Sequence, residues 1–221
     1  MAPLPTSLAL DVLPLAVGAA VSPLLLVGQV LTLTTPGSGL RRGWCFALGS
    51  ALVVALWTVL GLATGAVLPA RAPGPDPVSA CLHLVLAVVL VVIGIEILWR
   101  PEARKVATSA PVAHPLRGSF LYGIGLMAAN LTTLVLFLPA IQDVARSGLS
   151  AITQAVMVAM VSAITLLPSL APPLALVLAG SSGRRTLVTL SGWTERHQRQ
   201  INAVLCFGFG VFLAISGCSR L

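Results

Sequence analysis

The run Gly18-Ala-Ala-Val-Ser-Pro-Leu-Leu-Leu-Val-Gly-Gln29 sets a Ser-Pro step and a glutamine inside an apolar stretch long enough to cross a bilayer. Residues 13–34 around it carry no charge. Pro23 has no backbone N–H to donate and crowds the carbonyl one turn back, so Ser22 is expected beside a carbonyl deprived of its helical donor in mid-membrane. Such a group persists only where protein or water satisfies it, and the stretch reads as cavity lining. A second stretch answers it: Leu126-Met-Ala-Ala-Asn-Leu-Thr-Thr133 puts Asn130, Thr132 and Thr133 at comparable depth in a later apolar run. Polar interruptions at corresponding places in two halves point to the central site of a transporter. The competing reading is that these side chains only glue helices together, at about 0.6–2 kcal/mol each, and that Pro23 is only a kink.

Of 221 residues 57% are hydrophobic and 9% charged, and the mean hydropathy is +1.00. A soluble globular domain has roughly 25% charged residues, so this is an integral membrane protein. At about 20 apolar residues per crossing, the length allows six helices in one domain, with no room for a catalytic domain. The net charge of +7 is spread in short clusters beside apolar runs, without the aromatic-basic pattern of a nucleic-acid module. Cys45, Cys81, Cys206 and Cys218 show no CxxC spacing and are expected to pack rather than react. The N-terminus lacks the basic region of a cleaved signal peptide.

Taken in order, span 1 covers residues 13–34 and is closed by Pro36, Arg41 and Arg42. Span 2 covers 43–68 and is rich in Gly, Ala and Ser, which lets backbones approach closely. A proline-dense loop, 69–77, leads to span 3 at 78–98. The polar segment 100–117 links a first three-helix repeat, 10–99, to a second, 118–221. Span 4 covers 118–141, with Pro139 near its far end. Span 5, about 149–179, is too long for one straight crossing, and Pro168, Pro172 and Pro173 are expected to break it. Residues 180–200 read either as a surface helix or as a polar extension of span 6, which covers 201–218.

The connections 1–2, 3–4 and 5–6 hold ten Lys and Arg against three on the other side. The positive-inside rule then puts those connections in the cytoplasm and both termini outside the cytoplasmic membrane. Trp44, Trp99 and Trp193 fall at the expected inner interface. Spans 1 and 4 run in opposite directions, so the fold class expected is an all-α integral membrane protein of six transmembrane helices arranged as two inverted three-helix repeats.

The leading substrate-binding candidates are Ser22 with Pro23, and Asn130 with Thr132 and Thr133. Gln29 lies two turns from Ser22 on roughly the same side, and Gln154 and Asn202 are further candidates. His83, one turn into span 3, could carry a proton for coupling, since histidine titrates near neutrality. It could equally be a hydrogen-bonded interface residue. Glu96 is a second coupling candidate, although Arg100 four residues on suggests a local ion pair. Asp11, Asp76 and Asp143 read as solvated outer ends. Spans 1 and 4 hold no carboxylate, which argues against a midmembrane metal site; there is no Walker motif and no nucleophilic triad, so neither an enzyme nor a cofactor is expected.

The run 13–27, the polar turn with Pro36 and Arg41, the Gly-rich span 2, the end of span 3 (Ile93-Gly-Ile-Glu-Ile-Leu-Trp-Arg-Pro101) and the small-residue end of span 6 (Ala214-Ile-Ser-Gly-Cys218) together resemble the GAP family of actinobacterial peptidoglycolipid addressing proteins, within the LysE-type exporter superfamily. The resemblance implies six helices in two inverted repeats and export of an envelope glycolipid or related small molecule. Ser22 and Pro23 match the family's first-helix motif, and Asn130 matches a polar, often Asn-Pro, break in the fourth helix. Here Leu131 stands in place of that proline, which leaves the sharpness of the break open. Relatives that shuttle reducing equivalents carry cysteines in spans 1 and 4, and this chain has none there.

The reading is a secondary exporter of an amphipathic envelope lipid, with membrane lipids and the substrate as partners, a second copy or an envelope-biosynthesis protein allowed for, and nucleic acid excluded. The rivals are a LysE-type exporter of a small amino acid or other solute, and a non-transporting scaffold of a lipid-export complex. A cavity open toward lipid favours the first, a closed polar pocket the second, a solid core the third.

Overall fold

The computed structural model describes residues 5–35, 38–68, 77–99 and 115–219. Among them every regular element is an α-helix: α1 (Pro5–Ala20), α2 (Pro23–Thr34), α3 (Gly39–Val67), α4 (Pro77–Trp99), α5 (Leu116–Ala128), α6 (Leu131–Ala145), α7 (Ala151–Thr165) and α8 (Leu167–Cys218). Three helical stretches are long and apolar enough to cross a membrane alone. Three bent pairs pass the same test as single spans, which gives up to six. The expected loop at 69–76, with Arg71 and Asp76, and most of the linker, with Arg100, Arg104 and Lys105, lie outside the described residues.

The bent pairs are where the expected straight spans give way. Residues 11–34 bend by 45° between Ala20 and Pro23, and residues 116–145 bend by 72° between Ala128 and Leu131. The fourth span is therefore broken more sharply than the first although Leu131 replaces a proline; Asn130 supplies the reason, since its side chain caps α6. That helix also runs four residues beyond the expected end at 141, with Pro139 inside it.

Span 5 breaks by 69° between Thr165 and Leu167, ahead of the prolines. Pro168 sits in the first turn of α8, where its missing N–H is harmless, while Pro172 and Pro173 lie within the helix. Gly180, at φ +53° and ψ −126°, divides α8 into two limbs by a backbone conformation that L side chains rarely adopt. Beyond it residues 182–218 form one continuous helix, so the basic segment is an extension of the last span rather than a separate surface helix.

Lipid tails are as apolar as leucine, so close packing rather than water exclusion must hold these helices together. At the α3–α5 crossing a Cβ on Gly49 would collide with the Phe120 carbonyl and one on Gly123 with that of Phe46, and Ser50 Oγ donates to the Gly123 carbonyl at 3.4 Å. The interior is filled by Phe46, Phe137, Leu25, Met127 and Leu136. α1 packs on α6 and α7, α2 on α5 and α8, α3 on α5 and α6, and α4 on α8. Two arginines of the long final helix close helix ends that lack donors: Arg184 donates to the Thr34 carbonyl at 3.0 Å and Arg199 to those of Ile97 and Leu98.

Candidate functional site at two broken helices

Pro23 cannot give an N–H to Ala19, its partner one turn back. The Ala19 carbonyl instead accepts a hydrogen bond from Thr133 Oγ1, at 3.0 Å, from the other broken pair. The carbonyl that the sequence leaves without a donor is thus satisfied by protein, across the interface between the two bent spans. Ser22 is the N-cap of α2, where its Oγ accepts from the Leu25 N–H at 3.3 Å. Asn130 plays the same part in α6, its Oδ1 accepting from the Thr133 N–H at 3.3 Å.

The two caps are bonded to each other. Asn130 Nδ2 donates to Ser22 Oγ at 2.7 Å. The side chains that sequence reasoning set at comparable depth in separate runs thus meet head to head, with Ser22 and Thr133 buried and Asn130 half-buried. All the groups are neutral and each can exchange its partner for a hydroxyl or a water. In this conformation the crossing is bridged by its own hydrogen bonds.

The remaining candidates disperse around this crossing. Thr132 is half-buried on α6, its side chain near the buried Cys206 of α8. Gln29, fully buried, donates Nε2 to the Gly43 carbonyl at 3.0 Å, joining α2 to α3, while its Oε1 has no protein partner. Gln154 donates to the Ala145 carbonyl at 3.4 Å and so closes the end of α6. Asn202 is half-buried on the second limb of α8, one turn from Cys206.

His83 and Asp143 change one expectation. Asp143, read as a solvated end, is almost fully buried, and its Oδ2 lies 3.9 Å from Nε2 of His83, itself 1% exposed. The reason is the longer α6, which carries Asp143 into the bundle against α4. Arg146 and Ser147 are buried beside it in sequence. Glu96 is exposed near the other end of α4.

Sequence reasoning passed over Gln142 and Thr64. Gln142 lies one residue past the end expected for span 4, and the longer α6 takes it in. Its Nε2 donates to Thr64 Oγ1 at 2.9 Å, and with Leu68, which caps the end of α3, and Pro77, Cys81, Leu82 and Val85 of α4 the two residues line a cavity of about 590 Å³. The rim residues Pro77, Cys81 and Val85 are exposed, so the cavity opens on the side of the bundle.

A family model described as "Sap, sulfolipid-1-addressing protein" matches residues 12–219. No curated protein and no solved structure matches the chain.

Proposed function

The chain belongs to the sulfolipid-1-addressing family, and on that premise we propose that it is a secondary exporter carrying an amphipathic envelope lipid, a sulfolipid first among them, across the cytoplasmic membrane. The observation that carries the reading is the 2.7 Å bond between Asn130 and Ser22 where two bent spans cross. A break in mid-membrane is costly unless its polar groups are held. Here they are held by neutral groups that a hydroxylated headgroup could replace one for one, with Asn130 Nδ2 and Thr133 Oγ1 as donors and Ser22 Oγ and the Ala19 carbonyl as acceptors. The bonded crossing is then the occluded state of the carrier.

The packing supports the LysE-like arrangement of two inverted repeats. α1 and α2 meet α6 and α5, the corresponding bent pair of the other half, and α4 meets the last span, its own counterpart. With the basic connections inside and both termini outside, Arg41, Arg42, Arg184 and Arg185 would gather anionic headgroups at the cytoplasmic end. A cavity that opens sideways and is walled mainly by apolar side chains favours a lipid over a free amino acid. No covalent step is assigned to any residue.

The test is reconstitution in liposomes with a sulfated glycolipid bearing a fluorophore, its arrival in the far leaflet read by an impermeant quencher, alongside efflux of loaded amino acids. Lipid transfer by wild type that falls at least tenfold in Asn130→Leu, with the variant still folded, is the expected result. Amino-acid efflux without lipid transfer would establish the solute exporter instead, and neither activity would leave the scaffold.

A further inference from the structure

Beyond the crossing, the side cavity between α3, α4 and α6 is walled by a side chain whose acceptor the fold leaves empty-handed. Thr64 Oγ1 has one proton, which it gives to the Leu60 carbonyl at 2.8 Å, so toward Gln142 it can only accept. That fixes the orientation of the Gln142 amide: Nε2 faces Thr64, and Oε1 is left buried with no protein partner. A buried acceptor without a donor costs about 1–3 kcal/mol. Of the remaining walls, Leu68, Pro77, Leu82 and Val85 are apolar and Cys81 offers only a weak thiol donor, which makes no hydrogen bond to it.

We propose that this cavity is a lipid-binding subsite, in which an acyl chain lies along Leu68, Leu82 and Val85 and the Gln142 amide, its Oε1 sealed from the cavity in this conformation, turns outward to accept from a hydroxyl or amide N–H of the lipid's head. The inference rests on the reading of the chain as a lipid exporter and adds where the lipid is held beside the crossing. Three features select this occupant. The rim is exposed on helices long and apolar enough to span a bilayer, so the surrounding phase that enters it is acyl chain. The groove is open on its outer side, and its volume of about 590 Å³ gives room for a length of acyl chain. The acceptor has no proton of its own, so the head must be a donor; a fully methylated or choline-type head cannot satisfy it.

The cavity is also placed to communicate with His83 and Asp143. Gln142 and Asp143 are neighbours on α6, and Leu82 and His83 are neighbours on α4; one residue of each pair faces the lipid subsite and the other faces its partner across the helix interface. A lipid wedged between α3 and α4 therefore bears on the same two helices that hold His83 and Asp143 together.

The experiment uses the intact protein in nanodiscs with two photoreactive diacyl glycolipids, identical in their diazirine-bearing chains, one with free sugar hydroxyls and one with every hydroxyl methylated. After irradiation the labelled peptides are mapped by mass spectrometry. Residues 77–85 are compared with the exposed Leu56 and Val59 face of α3, which reports ordinary surrounding lipid. The expected result is labelling of 77–85 by the hydroxylated lipid at least fivefold above the control face, falling to the control level with the methylated lipid and in Leu82→Trp, which fills the cavity. Equal labelling by the two lipids would overturn the proposal and assign Gln142 Oε1 to a trapped water, as would labelling of 77–85 no stronger than the control face. The wild-type comparison needs no variant, so it stands if Leu82→Trp fails to fold. The readout is occupancy rather than transport: lost labelling with intact lipid transfer removes the subsite alone, and intact labelling without transfer removes the exporter reading alone.

Discussion

The first span breaks at a proline and bends by 45°, whereas the fourth breaks without one and bends by 72°. In the first, Pro23 removes a donor, and the helix is held open by what it lacks. In the second nothing is lacking: Asn130 competes for the helix's own backbone, capping α6 with Oδ1 and ending the run that α5 began. The difference teaches that the two breaks are complements. The proline break exposes an acceptor, Ala19, and the asparagine break brings the donors, Thr133 Oγ1 and Asn130 Nδ2. Each half of the molecule finishes the hydrogen bonding of the other.

That asymmetry sets the order of expected losses. Asn130→Leu should do most, since it removes the cap of α6 and the bond to Ser22 together. About 2–3 kcal/mol of stability lost in detergent unfolding is expected, with lipid transfer abolished. Thr133→Val comes next: the shape is kept but the Ala19 carbonyl is stranded, for about 1–2 kcal/mol. The sharpest comparison is made by adding Pro23→Ala, which restores the N–H that a straightened span would give to that carbonyl. In the Pro23→Ala background, Thr133→Val should lose less than half of what it loses alone, and full additivity would mean that the complement is illusory. Ser22→Ala also removes a cap and the bond to Asn130, but it leaves the cap of α6 in place and the half-buried Asn130 can find another acceptor, so the mildest loss, about 1 kcal/mol, is expected.

Much of this was legible from residues. The uncharged run at 13–34 and the Ser-Pro step announce a broken crossing, and the polar triplet Asn130, Thr132 and Thr133 announces its partner. The expected all-helical membrane architecture is the one found. What stayed hidden was the severity of the second break, because a capping side chain leaves a fainter trace than a proline. The true end of α6 was hidden too, because Pro139 reads as a stop while the helix absorbs it. The four further residues of the helix take in Gln142, which lines a cavity, and Asp143, which reads as a solvated end in the sequence and is buried against His83. In the segment 180–200 periodicity could not separate a surface helix from an extension, since both have the same repeat; only the backbone of Gly180 places the joint.

The bond between the two caps can be put to a direct trial. With the native cysteines replaced and Ser22 and Asn130 kept, cysteines at the exposed neighbouring positions 21 and 129 are bridged by a bis-methanethiosulfonate in liposomes carrying the sulfated glycolipid. Near-complete bridging, with lipid transfer stopped by the bridge and restored by reduction, is the predicted result. Transfer that continues at the wild-type rate through a bridged crossing would contradict it.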